Sequence, residues 1–228
     1  MTFKSQQPTD GAIIFDLDGT LVDTSGDITF TTNHVRDLIG LPPLSSRQVL
    51  RAVGHGFASL LSRLTDVDEN EVERIEQLRE QFRRHYLAHQ TERSEVYPGI
   101  REALTTLAPR FSLFVLSNKP HIAVLSELDG HAIRAFFRDV WGGGALPAIK
   151  PDPVGVIAAL EQSGVPSSRA VMVGDMTPDI GAAENAGIKS CFVTWGFGAL
   201  ENEDPKPTVA IDRVDELVPT IEHLLASE

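Results

Sequence analysis

Residues Ile13-Ile14-Phe15-Asp16-Leu17-Asp18-Gly19-Thr20 form an apolar run that ends in two carboxylates one residue apart, followed by a glycine and a threonine. The segment Ala12–Phe15 has the length and residue types of a buried strand, and Gly19 permits a sharp turn after it. Asp16 and Asp18 therefore emerge at the carboxyl end of a strand. Two carboxylates on the same side of an extended segment repel unless a cation or a shared proton intervenes. A divalent metal explains the pair, and a turn rich in aspartate is the alternative for this motif alone.

Similar strand patterns recur along the chain and alternate with helical ones. Apolar runs at residues 113–116, 170–173 and 191–193 each end in polar or glycine residues, and helical spacing of apolar residues occupies 100–107, 154–160 and 180–186. Strands that alternate with helices of this length predict an α/β fold, a doubly wound, Rossmann-like parallel sheet with helices on both faces. Ligands of such sheets bind at the carboxyl ends of the strands.

One long segment, residues 25–93, breaks this alternation because its apolar spacing is helical throughout. Its clearest stripe consists of Val72, Ile75, Leu78, Phe82 and Tyr86, which predicts an amphipathic helix. We therefore predict an inserted α-helical cap domain at residues 25–94, and a catalytic core made of residues 1–24 and 95–228.

The composition narrows the classes of function. The formal charge of -12 opposes a general electrostatic contact with nucleic acid, which requires a basic face. Hydrophobic residues make up 42% and charged residues 23% of the chain, values of an ordinary soluble globular protein, and no apolar stretch approaches the roughly 20 residues that span a bilayer. The first ten residues lack the features of a secretory signal. We expect a cytoplasmic protein that binds neither nucleic acid nor membrane.

Four polar clusters fall at, or just beyond, the carboxyl ends of predicted strands, where one edge of the sheet can bring them together. In chain order they are Asp16 and Asp18 with Thr20, then Ser117-Asn118-Lys119, then Lys150-Pro151-Asp152-Pro153, and finally Gly174-Asp175-Met176-Thr177-Pro178-Asp179. This ordered set resembles the four motifs of the haloacid dehalogenase-like hydrolase superfamily, and the resemblance covers essentially the whole chain. Met176 departs from the pattern, since many members have a small polar residue there.

The residue types and the resemblance agree on the catalytic roles. Asp16 is predicted to be the nucleophile that attacks phosphorus and forms a phospho-aspartyl intermediate. Asp18 is predicted to be the general acid that protonates the leaving oxygen and later activates water. Lys150 is predicted to orient Asp16 and to offset charge on the transferring oxygens. For Lys150 alone, a solvated lysine before a proline is the alternative.

A magnesium site and a phosphate site follow from the same set. Asp16, Asp175 and the backbone carbonyl of Asp18 are predicted to bind Mg²⁺, a hard cation that prefers oxygen ligands. By resemblance to the family, Asp179 is expected to hold a metal-bound water. The phosphoryl oxygens are assigned to the hydroxyl of Ser117, the amide of Asn118 and, in a supporting role, Thr20.

A loop within the predicted cap is the candidate for substrate selection. Gly54, His55 and Gly56 interrupt a helical pattern, and two glycines around one residue permit a tight loop whose amides can face an anion. A plain connection between helices is the alternative. Together with Tyr97-Pro98-Gly99 and Trp195-Gly196-Phe197-Gly198, this loop resembles bacterial phosphoglycolate phosphatases, which implies a small substrate enclosed by the cap. Three arginines lie near this loop, and one of them is expected to contact a substrate carboxylate: Arg47, Arg51 or Arg63. A surface salt bridge is the alternative for each.

The resulting hypothesis is a Mg²⁺-dependent phosphatase, active as a monomer or homodimer, on a small phosphorylated metabolite, with 2-phosphoglycolate favoured. Residues 25–93 contain no lysine, which disfavours a phosphonate hydrolase that forms a Schiff base in the cap. Dehalogenation is also disfavoured. Departure of a halide requires no general acid two residues after the nucleophile, whereas departure of an alkoxide from phosphorus does, and Asp18 is present. The alternatives left open are a phosphosugar mutase of the same superfamily and a non-catalytic binding module.

Overall fold

A parallel sheet forms the centre of the protein. The computed structural model describes residues 9–54, 56–68 and 70–226. Its strands over these residues are β1 (Ala12–Phe15), β2 (Val22–Asp23), β3 (Glu95–Val96), β4 (Ser112–Pro120), β5 (Asp139–Gly143), β6 (Ala170–Gly174), β7 (Lys189–Val193) and β8 (Val209–Ile211). In the described residues the main sheet has six strands in the order β5-β4-β1-β6-β7-β8, and all its neighbouring pairs are parallel.

The first predicted strand lies in the middle of this sheet. Ile13 pairs with Leu113 of β4 on one side and with Val171 of β6 on the other. Every residue of β1 is fully buried, because helices cover both faces, and this is why the strand is continuously apolar. Burial of each large side chain contributes about 1.5–3 kcal/mol. From β1 the sheet extends in opposite directions through β4 and β6, which makes the carboxyl end of β1 a topological switch point.

Helices pack on both faces of the sheet, which confirms the doubly wound α/β fold. One face carries a core with residues of α5 (Ile100–Leu107) and α9 (Leu217–Ala226), and the other a core with residues of α7 (Val154–Ser163) and α8 (Thr177–Ala186). The chain also includes α6 (His121–Gly130) and short 3-10 turns at Arg134–Phe136, Ser167–Arg169 and Val214–Glu216. No helix of the described residues has the length and apolar character required to cross a membrane.

The segment between β2 and β3 is helical, as its periodicity predicts. It contains α1 (Ser25–Leu38), α2 (Ser46–Leu50), α3 (Phe57–Thr65) and α4 (Val72–His89), and its buried residues form a second core, which Ala123 of α6 joins. We call residues 25–94 the helical insertion. The strands β2 and β3 pair antiparallel at its base. The predicted stripe on α4 is buried from Ile75 to Tyr86, but Val72, the first helical residue, is 70% exposed.

Candidate active site

The polar clusters predicted from the sequence meet at the carboxyl edge of the sheet. Asp16 directly follows β1, Asp175 directly follows β6, and Ser117 lies inside β4, which continues to Pro120. The pairing of β4 with β5 shifts register between Leu116 and Pro120. Such an irregularity redirects the side chains beside a site, so β4 presents a run of polar residues where the sequence pattern predicted only a strand end.

Three buried aspartates lie close enough to share a cation. One carboxylate oxygen from each of Asp16, Asp175 and Asp179 lies within 4.8 Å of the others. The ammonium of Lys150 is 2.8 Å from Asp16 Oδ1 and 2.6 Å from Asp179 Oδ1. One ammonium therefore faces three buried carboxylates. The negative charge of the cluster therefore exceeds what Lys150 neutralises.

The excess of negative charge shifts the pKa values of the aspartates. Burial raises the pKa of Asp16 to about 7, because Lys150 only partly opposes it and Asp179 adds to the increase. Burial and the charges of Asp16 and Asp179 also raise the pKa of Asp175 well above its ordinary value. A hard divalent cation with oxygen ligands relieves such crowding. The donor set therefore fits a metal ion.

Backbone and glycines form a cradle around Asp175. Thr20 Oγ1 donates to Asp175 Oδ1 and the backbone N–H of Phe197 donates to Oδ2, both at 2.8 Å. A Cβ at Gly19 would lie 2.4 Å from Oδ2, and one at Gly196 would lie 2.3 Å from the Cβ of Asp175, so only glycine fits at either position. Thr20, which the sequence analysis assigned to phosphate, is buried and engaged by this carboxylate. Thr20 thus contacts Asp175 in the structure, and its contact with phosphate stays a prediction.

Lys150 and Asp179 are fixed by each other and by the start of α8. Asp179 Oδ2 accepts the backbone N–H of Met176 at 2.9 Å, which caps the helix. Burial lowers the pKa of Lys150, but the charges of Asp16 and Asp179 outweigh it and raise this pKa above its ordinary value. The lysine is therefore a permanent cation beside Asp16. Because both oxygens of Asp179 have protein donors, its predicted contact with a metal-bound water remains a prediction.

Ser117 and Asn118 occupy different places in the site. The hydroxyl of Ser117 lines the cavity and accepts the backbone N–H of Lys119 at 3.2 Å. The side-chain amide of Asn118 donates to the carbonyl oxygens of Gly54 and Lys150 at 3.0 and 2.9 Å, and its Oδ1 accepts the N–H of Lys150 at 2.9 Å. The Asn118 side chain thus connects segments of the protein, and the contact of its backbone amide with phosphate stays a prediction.

A cavity of about 100 Å³ lies between this edge of the sheet and the helical insertion. Of the predicted site residues it is lined by Asp16, Asp18, Gly54, Gly56, Ser117, Asn118, Lys150 and Asp179. Gly54 and Gly56 of the helical insertion therefore line the same cavity as the core motifs. His55 lies outside the described residues. Side chains of the insertion that line the cavity are mainly apolar: Ile28, Val53, Phe57, Leu60, Phe82 and Leu87.

The arginine that lines the cavity differs from those expected. Arg83 of α4 is among the lining residues, and Arg47, Arg51 and Arg63 are not. The guanidinium of Arg83 pairs with Glu80 through contacts of 2.8 and 2.9 Å, and its side chain is 47% exposed. An exposed pair of this kind contributes little to stability, so Arg83 is free to exchange its partner.

Comparison with known proteins gives the family. The family model for haloacid dehalogenase-like hydrolase matches residues 13–193. The chain belongs to this family. Phosphoglycolate phosphatase of Agrobacterium fabrum is 33% identical over 227 residues, 98% of this chain and 97% of that protein. Phosphoglycolate phosphatase of Vibrio cholerae is 36% identical over 202 residues, 85% of this chain and 89% of that protein.

Solved structures agree with the sequence relatives. The crystal structure of a predicted phosphoglycolate phosphatase from Haemophilus somnus has a TM-score of 0.83 and 28% identity, and it covers 96% of this chain and 99% of that one. This haloacid dehalogenase-like protein is therefore a phosphoric monoester hydrolase, and its acidic cluster is able to hold a metal ion.

A second polar network in this hydrolase, which the sequence analysis missed, surrounds Lys119. Its ammonium lies 2.7 Å from Asp18 Oδ1, 2.7 Å from the hydroxyl of Tyr86 and 3.4 Å from Glu127 Oε2. The fully buried Glu127 also accepts hydrogen bonds from Tyr86 at 2.9 Å and Ser94 at 2.6 Å. The sequence did carry one signal of this network. Lysine is scarce in the chain, and Lys119 is one of the few and stands within a recognised motif.

The charges of this network are settled by its contacts. Burial lowers the pKa of Lys119, but Asp18, Tyr86 and Glu127 outweigh it and raise that pKa well above its ordinary value. Burial raises the pKa of Glu127, but Lys119 and the hydrogen bonds from Ser94 and Tyr86 outweigh it and leave that pKa below the usual range. Lys119 is thus a cation and Glu127 an anion at neutral pH.

Proposed function

We propose that this hydrolase removes the phosphoryl group of 2-phosphoglycolate, through a phospho-aspartyl intermediate on Asp16 and with Mg²⁺ as cofactor. The observation that carries the proposal is the contact of Lys150 with Asp16 at 2.8 Å in a buried acidic cluster at the cavity. A carboxylate beside a permanent cation, at the end of a strand, is suited to nucleophilic attack on a phosphate dianion.

The reaction would proceed in two displacements. In the first, an oxygen of Asp16 forms a bond to phosphorus while the bond from phosphorus to the ester oxygen breaks, and the proton of the Asp18 carboxyl passes to that leaving oxygen. In the second, Asp18 takes a proton from water, the water oxygen attacks phosphorus, and Asp16 is released. Lys150 and Ser117 would hold the phosphoryl oxygens in both steps.

Three groups would hold the metal: the carboxylates of Asp16 and Asp175 and the backbone carbonyl of Asp18. Asp179 would orient a water on it. When bound, Mg²⁺ supplies positive charge that offsets the phosphoryl oxygens and reduces their repulsion from Asp16. The close approach of three buried carboxylates and the raised pKa of Asp175 support this assignment.

The substrate assignment is supported by size and by relatives. The cavity volume of about 100 Å³ is well below the roughly 300–1,000 Å³ of sites for drug-sized ligands, which favours a small metabolite. The relatives from Agrobacterium and Vibrio carry the name phosphoglycolate phosphatase. We further propose that residues 25–94 act as a cap domain, with Gly54, His55 and Gly56 at the substrate and Arg83 at its carboxylate.

A panel of phosphorylated metabolites tests the substrate. Purified protein with Mg²⁺ is expected to release phosphate from 2-phosphoglycolate with a kcat/KM above that for sugar phosphates and for ethyl phosphate, which lacks the carboxylate. Equal kcat/KM values on ethyl phosphate and 2-phosphoglycolate would contradict the proposed contact between Arg83 and the substrate carboxylate. Conversion of a sugar phosphate to its isomer without free phosphate would support the mutase alternative.

A further inference from the structure

Lys119 is saturated by protein groups. An ammonium has three donors, and this one has an acceptor in each of three elements: Asp18 after β1, Tyr86 on α4 and Glu127 on α6. Its side chain is 8% exposed, and it also lies 4.7 Å from the centre of the Tyr86 ring. A lysine used in this way has no donor left for substrate. Its function must therefore lie in the groups that it holds.

The most important of these groups is Asp18, the proposed general acid. Lys119 Nζ and Thr24 Oγ1 both lie 2.7 Å from Asp18 Oδ1. Two short contacts on one oxygen fix the rotation of the carboxyl group, and Oδ2 remains for the leaving oxygen of the substrate. A general acid acts only when it is within hydrogen-bond reach of that oxygen.

Glu127 prevents this arrangement from carrying excess charge. A lysine alone beside Asp18 would add a net positive charge next to the acid. Glu127 is fully buried on the other side of Lys119, at 3.4 Å, so the pair is neutral as a whole. The hydrogen bond from Ser94 and the contact of His131, at 3.2 Å, keep Glu127 in place. Lys119 therefore acts as a rigid donor without a large change in local charge.

We propose that Lys119 is the positioning residue of the general acid Asp18, and that Tyr86 makes this positioning depend on the docking of the helical insertion against the core. Tyr86 belongs to α4 of the insertion, whereas Lys119 and Glu127 belong to the core. Movement of the insertion away from the sheet removes the Tyr86 hydroxyl from both partners. Lys119 is then held by fewer groups, so docking of the insertion over the cavity improves the alignment of the acid. This assignment rests on the proposed function.

Leaving-group dependence tests the assignment. A general acid is needed when an alkoxide leaves, as from 2-phosphoglycolate, but not when p-nitrophenolate leaves as a stable anion. The quantity to compare is kcat/KM, because it reports only the steps up to phosphoryl transfer to Asp16. The later hydrolysis, in which Asp18 acts as a base, does not affect it. We expect Lys119→Met to lower kcat/KM about 10²-fold or more on 2-phosphoglycolate, and less than about tenfold on p-nitrophenyl phosphate.

Further variants separate this effect from damage to the fold. Lys119→Met leaves Glu127 unpaired in the interior, so the double variant Lys119→Met with Glu127→Gln restores neutrality and is expected to show the same selectivity between substrates. Tyr86→Phe keeps the ring, and it should show a smaller loss, about 3- to 10-fold, again confined to the alkyl phosphate. Ser94→Ala is the matched control, since it removes a buried hydrogen bond to Glu127 without touching Lys119.

The outcomes are distinct. Equal losses on the two substrates in Lys119→Met, the double variant and Tyr86→Phe would show a purely structural role and overturn the assignment. A selective loss in Ser94→Ala as large as that in Tyr86→Phe would overturn the part given to the insertion. A wild-type protein that hydrolyses no alkyl phosphate would overturn the proposed function, and this assignment with it.

Discussion

The side-chain amide of Asn118 donates a hydrogen bond of 3.0 Å to the carbonyl oxygen of Gly54. Asn118 belongs to β4 of the core and Gly54 to the loop before α3 of the helical insertion. The same amide binds the carbonyl oxygen of Lys150 at 2.9 Å. One side chain therefore links the loop at Gly54 to the backbone of the lysine beside Asp16. Changes in the loop are expected to reach the catalytic residues.

Gly54→Ala tests this link. Gly54 has a φ of +100°, and a Cβ there would lie 2.6 Å from Sδ of Met176. The substitution strains the backbone and forces Met176, which lines the cavity, to move. We expect kcat/KM to fall roughly 10- to 10²-fold, since small displacements in an active site have effects of this size. Measurement requires steady-state kinetics on 2-phosphoglycolate and a urea unfolding curve.

Gly40→Ala is the control for backbone strain alone. Gly40 has a φ of +73°, and a Cβ there has no heavy atom within 4 Å. It should lose about 1 kcal/mol of stability with unchanged kinetics, while Met176→Ala added to Gly54→Ala should recover part of the activity. Equal kinetics in Gly40→Ala and Gly54→Ala would contradict the proposed coupling.

Asp16→Asn is expected to abolish turnover and keep the fold. The substitution removes the proposed nucleophile and also one charge from a crowded buried cluster, so stability should not decrease. We expect kcat to fall at least about 10³-fold, with an unchanged circular dichroism spectrum. Asp152→Asn, the same change at an exposed residue near Lys150, should remain active. Activity in Asp16→Asn would reject the assigned nucleophile.

The sequence predicts some strands of this fold much better than others, because the structure around each strand determines which residues it can contain. β1 is covered on both faces and is therefore continuously apolar. β5 contains Trp141 followed by glycines, which are depleted in strands, and it was not predicted. A Cβ at Gly142 would lie 2.5 Å from the Cα of His121. Glycine is required there by a close approach of backbone that only the folded structure reveals.

Some residues of the candidate site could likewise be predicted from the sequence, and others could not. Asp16, Lys150 and Asp175 follow recognisable motifs in chain order, so their convergence at one edge of the sheet could be predicted. The partners of Lys119 could not. Tyr86 fits the apolar stripe of α4, and its hydroxyl has no signature in that pattern. Glu127 lies on the buried side of α6, where its partners come from segments distant in sequence.

Metal binding is expected to stabilise the protein. A ligand at 100 times its Kd adds about 2.7 kcal/mol to the free energy of unfolding. Mg²⁺ at constant ionic strength should therefore raise Tm, and chelation should reverse the increase. In Asp175→Asn one proposed ligand loses its charge, so the shift should largely disappear, although the metal-free variant is expected to be no less stable. An equal Mg²⁺ shift in Asp175→Asn would place the ion elsewhere.

A histidine cluster on the helical insertion gives a prediction about pH. The His85 ring stacks on His34 with 3.9 Å between centroids, and the His89 ring lies 4.6 Å from it. Burial, His34, His89 and Arg93 lower the pKa of His85 to about 4, and Glu92 opposes them only weakly. His85 is therefore neutral in the folded protein over a range in which the unfolded chain is protonated.

The free energy of unfolding should fall between pH 6.5 and pH 4 because of this shift. A folded-state pKa below the unfolded value of 6.5 means that the unfolded chain binds more protons in this window, so stability is complete above pH 6.5 and is lost as the pH falls. Carboxylates also titrate near pH 4, so the test is the difference between variants. In urea unfolding at pH 7 and pH 4.5, His85→Gln should lose less stability than the wild type, and His34→Gln an intermediate amount. Wild-type pH dependence in both variants would show that the cluster does not contribute.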